Sequence, residues 1–107
     1  MAYVRVSTMK PQSGSEEDVR KLNEELVAFY RSRPGCIASH FIAAADESGE
    51  QGRVTFWESE SLANSAATND HSMFLRSRLH LLVEHGHLDR SFHADLGVGA
   101  SVLAGTA

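Results

Sequence analysis

An arginine in the middle of a strand pattern is the residue that least suits a plain core here. Arg5 sits inside the alternating run from Ala2 to Thr8. It suits either of two roles. One is a clamp for an enolate or phenolate oxygen. The other is an ion pair with a carboxylate across a sheet, such as Asp95. The chain also holds 6 histidines, His40, His71, His80, His85, His87 and His93. Imidazole serves near neutral pH as a general base or a metal ligand. The spacing argues against metal: there is no H-E-x-x-H, and the closest pair, His85-Gly86-His87, sits at a helix end with no cysteine nearby. No metal site is expected. His71 is singled out as a pocket residue because it restarts a helix after a break; otherwise it is a solvent-facing first-turn residue. Trp57, the lone tryptophan, suits either the wall of a pocket for a flat aromatic or a core or dimer-interface position at a strand end.

Other nucleophile and phosphate signatures are absent. Ser59 and Ser61 read as helix caps, and no G-x-S-x-G elbow is present. No glycine-rich loop follows a strand, so nucleotide binding is not expected. Cys36 reads as a small buried hydrophobe.

The elements that must position these residues follow from periodicity. Ala2 to Thr8 alternates as a strand with two unlike faces. Ser15 is an N-cap candidate, with Asp18 three residues on and Glu16 and Glu17 in the first turn. Val19, Leu22, Leu26 and Phe29/Tyr30 then recur at helical spacing until Pro34-Gly35 stops the helix. Cys36 to Ala45 is a second strand, Asp46 to Gly52 a hairpin turn, and Arg53 to Glu58 a third strand. A helix starts at Ser59, is interrupted near Thr68-Asn69-Asp70, and resumes from His71 to about Glu84 before Gly86. Asp89 to Leu96 is the last strand. Residues 1–97 form one domain, and 98–107 read as a Gly/Ala-rich tail, flexible on composition alone.

The order β-α-β-β-α-β predicts a ferredoxin-like α+β fold, with both helices on one face of a four-stranded antiparallel sheet. With strand order 4-1-3-2, one face collects Trp57 and Thr55 with Arg5, Ser7, His40 and His93, a polar set that suits a ligand pocket or a polar barrel interior. The helix break predicts an opening: a partly apolar cavity bordered by Trp57, His71 and Phe74, reached by a polar group from Arg5, Ser7 or His93. The face left bare predicts a homodimer, sheet against sheet.

Composition is that of an ordinary globular domain. The 107 residues are 42% apolar and 22% charged. A net charge of -4 gives no reason to expect nucleic acid or an anionic membrane as partner. No apolar run approaches the roughly 20 residues of a membrane helix, and the start of the chain lacks a signal-peptide layout. A single cysteine forms no internal disulfide, so the cytoplasm is the expected compartment.

The element order, Arg33-Pro34-Gly35 after the first helix and Trp57-Glu58-Ser59 opening the second resemble the antibiotic biosynthesis monooxygenase family, of the dimeric α/β-barrel superfamily. The resemblance runs from about Tyr3 to Leu96. It implies a homodimeric, cofactor-independent oxygenase acting on a small aromatic substrate of phenol, quinol or anthrone type, without metal or flavin. His71 or His93 would be the base and Arg5 the anion partner. Ser7, Trp57 and Phe74 would complete the substrate site. The alternative is a non-enzymatic ligand-binding or stress-associated dimer of the same fold. The haem-degrading branch is similar but carries an Asn late in the first strand and a Trp and a His in the second helix. Ser7, Ala66 and Arg76 stand there in this chain, so haem cleavage is not expected.

Overall fold

The computed structural model describes residues 1–96. Its elements are β1 (Ala2–Met9), α1 (Glu16–Arg31), β2 (Cys36–Ala43), β3 (Gln51–Trp57), α2 (Glu60–Ala67), α3 (Asp70–His80) and β4 (Leu88–Ala94). The strands form one antiparallel sheet in the order β2-β3-β1-β4, as the sequence predicts. The Gly/Ala-rich tail, 98–107, lies outside the described residues.

Alternation decides which side chains meet the helices. Tyr3 and Met9 of β1 and Trp57 of β3 join Val19, Leu22, Leu26 and Tyr30 of α1 in the core, with Ala63, Ala66, Leu75 and Leu79 from α2 and α3. The opposite residues, Val4, Phe56 and Phe92, are paired across β3, β1 and β4 on the face without helices. Phe92 and Leu88 remain 43% and 58% exposed there.

The helix break is real and has a local cause. Ser59 caps α2 by accepting the Leu62 N–H at 3.3 Å, and Asn69 caps α3 by accepting the His71 N–H at 2.9 Å. Ser15 behaves otherwise: its side chain makes no cap bond. The Glu16 carboxylate instead accepts from the Gly14 N–H at 2.8 Å, drawing the turn onto the helix start. α3 ends sooner than its apolar spacing predicts. Leu82 and Glu84 bond the backbone of Gln12 and Lys10 at 2.8 Å, so Val83 is buried in a bridge to Pro11 rather than in a helix.

Two further expectations are corrected. The register of β2 shifts between Cys36 and Ala38. The bulge flips the alternation, so His40 lies opposite Val54, on the face away from Trp57 and Thr55. Arg5 does not pair with Asp95. It stands opposite Ser91, while Asp95 lies beyond the end of β4.

The two short motifs that carry the resemblance meet in space. Gly35 has φ +84, and its carbonyl accepts the Glu58 N–H at 2.8 Å. A Cβ on Gly35 would lie 2.3 Å from Leu62 Cδ1 and 2.9 Å from Leu62 Cβ. The turn after α1 thus works as the seat of α2. Gly14 has a similar φ, +89, but nothing lies within 4 Å of its Cβ position. Gly35→Ala is expected to cost roughly 2–4 kcal/mol, backbone strain plus overpacking, and Gly14→Ala only about 1 kcal/mol of strain. Urea denaturation of the two variants checks this; equal losses would contradict it.

Candidate functional site

A cavity of about 540 Å³ lies between the sheet and the α2–α3 pair. That is the size of a small-molecule site. Trp57, Tyr30, Ala63 and Ala67 supply its apolar side. Small residues on α2 leave room here that a larger side chain would fill. Trp57 is 2% exposed and packs edge-on against Tyr30, ring centroids 5.8 Å apart. It is therefore core and cavity wall at once. The edge strand β4, whose side chains are almost all exposed, forms the open side.

The polar side is mostly cationic. Arg5, Arg53 and Arg76 converge on the cavity with His80 and His87, whereas the Arg90 guanidinium lies over the Phe92 ring on the other face of β4. Arg5 faces Thr55, and Arg53 faces Ser7, so the two arginines stand on a diagonal of β1 and β3, about 7–8 Å apart at the backbone. Arg53 is 5% exposed, and burial lowers its guanidinium pKa from the ordinary value. It stays a cation, as guanidinium does in proteins, and donates to Asn23 Oδ1 at 2.6 Å. Asn23 is wholly buried on α1. Arg5 donates to Asn64 Oδ1 at 2.5 Å and to the Tyr3 hydroxyl at 3.3 Å. Arg76 donates to the Ala67 carbonyl, and its Nε is buried with no partner among the described residues. Asp89 is the one carboxylate lining the cavity, and it accepts from the Ser7 hydroxyl.

His87 is the candidate base. Its Nε2 is buried and has no hydrogen-bond partner among the described residues. Burial pushes its pKa below the ordinary 6.5; Asp89 opposes this, and His80, Arg53 and Arg76 reinforce it. A neutral imidazole at pH 7 can accept a proton from an acidic group held beside it. The His80 ring lies 5.4 Å away, centroid to centroid. No cluster of three or more His, Cys, Asp or Glu that could hold a metal occurs among the described residues.

The residues singled out in the sequence divide. Arg5, Ser7 and Trp57 line the cavity. His71, Phe74 and His93 do not. His71 is exposed at the start of α3, its ring 5.1 Å from that of Phe29 on the far side of the helix. Phe74 is 55% exposed, because α3 turns Ser72, Leu75 and Leu79 inward. His93 stands on the right face of β4 but one step too far along, edge-on to Tyr3 at 5.9 Å. Arg53, Arg76, His80 and His87 were not foreseen as site residues. Arg53 carried a usable signal: like Arg5, it is a charge inside a strand, and antiparallel pairing sets it beside Arg5.

No family model matches the sequence, and no curated protein matches it. Solved structures do. Rv0793 from Mycobacterium tuberculosis is similar with a TM-score of 0.81 at 14% identity, over 88% of this chain and 95% of that one. SnoaB from Streptomyces nogalater, a cofactor-independent oxygenase, gives 0.77 at 14% identity over 87% and 92%. An antibiotic biosynthesis monooxygenase gives 0.78 at 17% identity over 89% and 99%. At such identities the likeness establishes the fold: this chain has the ferredoxin-like α+β fold of the antibiotic biosynthesis monooxygenases.

The Asn23–Arg53 bond should be a stability hinge. Asn23→Leu removes the acceptor from a buried cation, and a loss of about 3 kcal/mol is expected. Adding Arg53→Met removes the cation and should restore much of it, a non-additivity that urea melts of the single and double variants would reveal.

Proposed function

We propose that this protein is a cofactor-independent monooxygenase acting on a small aromatic substrate of phenol, quinol or anthrone type. The observation that carries the reading is one cavity holding a base on one side and an apolar wall on the other. His87 faces a space bounded by Trp57 and Tyr30. A pocket plugged by Trp57, Met73 and Phe74 would instead have favoured a non-enzymatic binder. Met73 and Phe74 are 51% and 55% exposed and leave it open.

The chemistry needs little from the protein. A flat substrate stacks against Trp57, and His87 takes the proton of its acidic hydroxyl or activated methylene. The guanidinium of Arg5 stabilises the resulting anion, which is worth more inside a low-dielectric site than in water. The electron-rich anion then gives electrons to O₂, and a carbon–oxygen bond forms as a hydroperoxide. Loss of water leaves a carbonyl. One atom of O₂ ends in the product and the other in water; the methylene carbon is oxidised by the same four electrons that reduce O₂. The residues' share is deprotonation, anion stabilisation and partial exclusion of water.

His87→Gln is expected to lower oxygen uptake with an anthrone-type substrate by about 10²-fold or more, the scale of a lost general base. His71→Ala, outside the cavity, should leave it unchanged. The reverse ranking would overturn the assignment. The pH dependence has a definite sign. A depressed pKa keeps His87 neutral to lower pH than an ordinary imidazole, so the acid limb of the kcat profile should fall below 6.5. An acid limb above that value would remove His87 from the mechanism.

Assembly belongs to the same proposal: a homodimer through the sheet face that carries Leu88 and Phe92. Exposed large apolar side chains on a face the helices leave bare support it. Sedimentation at micromolar concentration should give twice the 11.7 kDa chain mass. A concentration-independent monomer would exclude the dimer.

A further inference from the structure

Charge in this protein is distributed against its average. The chain carries 14 acidic residues against 10 Lys and Arg. Yet the cavity gathers Arg5, Arg53 and Arg76 around a single carboxylate, Asp89. The one ion pair among the described residues is elsewhere, between Arg20 and Glu24 on the surface of α1. Inside the cavity the close hydrogen-bond acceptors of the arginines are neutral: the Asn23 and Asn64 amides, the Tyr3 hydroxyl and the Ala67 carbonyl. These bonds orient guanidinium groups but leave their charge uncompensated. Asp89 offsets part of it from an exposed position on β4, where it already accepts from Ser7.

A buried cation with no counter-charge is costly, and the usual remedy is an anion beside it. One developing phenolate at Arg5 uses one arginine. Arg53 and Arg76 remain. Both line the cavity with His87, and each disfavours a positive charge there. Arg76 offers a buried Nε–H with no partner among the described residues, and Arg53, which also lines the cavity, is buried almost completely. A planar guanidinium pair of this kind suits a carboxylate.

We infer that the ligand of this cavity carries a permanent carboxylate, seated on Arg53 and Arg76, in addition to the ionisable hydroxyl that faces Arg5. The substrate class is thus a hydroxylated aromatic acid rather than a neutral phenol or quinol. This deepens the function proposed above and rests on the same cavity. It does not need turnover to be true. It also accounts for why the arginines are held by amides and a carbonyl: carboxylate partners from the protein would neutralise the seat and repel the ligand.

Binding can be read without catalysis. Trp57 is the sole tryptophan and forms the cavity wall, so its fluorescence reports occupancy. Titration under nitrogen with 1-hydroxy-2-naphthoate and with 1-naphthol compares ligands that differ by the carboxylate. The acid is expected to bind about tenfold or more tightly, the scale of a charge-assisted hydrogen bond. Arg76→Gln, with circular dichroism showing an intact fold, should lower the acid's affinity about tenfold more than that of the naphthol. Equal affinities for the two ligands in the wild-type protein would overturn the inference, as would equal losses for both in the variant. The wild-type comparison stands even if the variant fails to fold. Preference for the acid without oxygen uptake would uphold the carboxylate seat and refute the oxygenase reading. Oxygen uptake from neutral naphthols with no preference for the acid would do the opposite.

Discussion

The structure turns on a guanidinium that the sheet buries and that no carboxylate among the described residues bonds. Arg53 lies in a central strand, on the face that α1 covers, where an apolar side chain would close the layer. Its only close acceptor among the described residues is the Asn23 amide, which is itself fully buried and also contacts Gln51 and Met9. A charge in that position keeps the space beside it from collapsing into core. The cavity and its cationic lining follow from it, and it adds to the burial that lowers the proton affinity of His87. The desolvated site that disfavours a second positive charge on His87 is the same site that favours an anion.

The fold contributes layers and an opening. Four strands and the long α1 make a complete half of the core around Val19, Leu26, Met9 and Trp57. The second helical segment is short and broken, and two side-chain caps at Ser59 and Asn69 make the break stable rather than frayed. With Ala63 and Ala67 on α2 and the break before α3, this layer does not seal the sheet between β1 and β4. Many chemistries are built on this fold, so function follows from what lines the gap and not from the architecture.

How far the sequence could be read follows from how local each signal is. Strand alternation, the Pro34-Gly35 stop and the Thr68-Asn69-Asp70 break are written in neighbouring residues, and the elements came out in the expected order. Arg5, Ser7 and Trp57 were legible as a group because one alternating face and one strand order place them together. His40 was not, because a bulge at Ile37 reverses the alternation and leaves no mark in residue types. His87 was not, because it sits after Gly86, outside both helix and strand, where no periodicity aims a side chain. Arg76 was legible only as a mismatch to a haem-degrading pattern, although that helix position is what turns it into the cavity.

The central claim is that this cavity holds an ionised aromatic between Trp57 and the His87–arginine side. The most direct test is a crystal structure of the protein soaked anaerobically with an anthrone bearing a peri-hydroxyl. The account predicts the ring system against Trp57 and its oxygen within hydrogen-bond distance of His87 Nε2 or the Arg5 guanidinium. An anthrone bound only on the outer surface, or an empty cavity at saturating ligand, would contradict it.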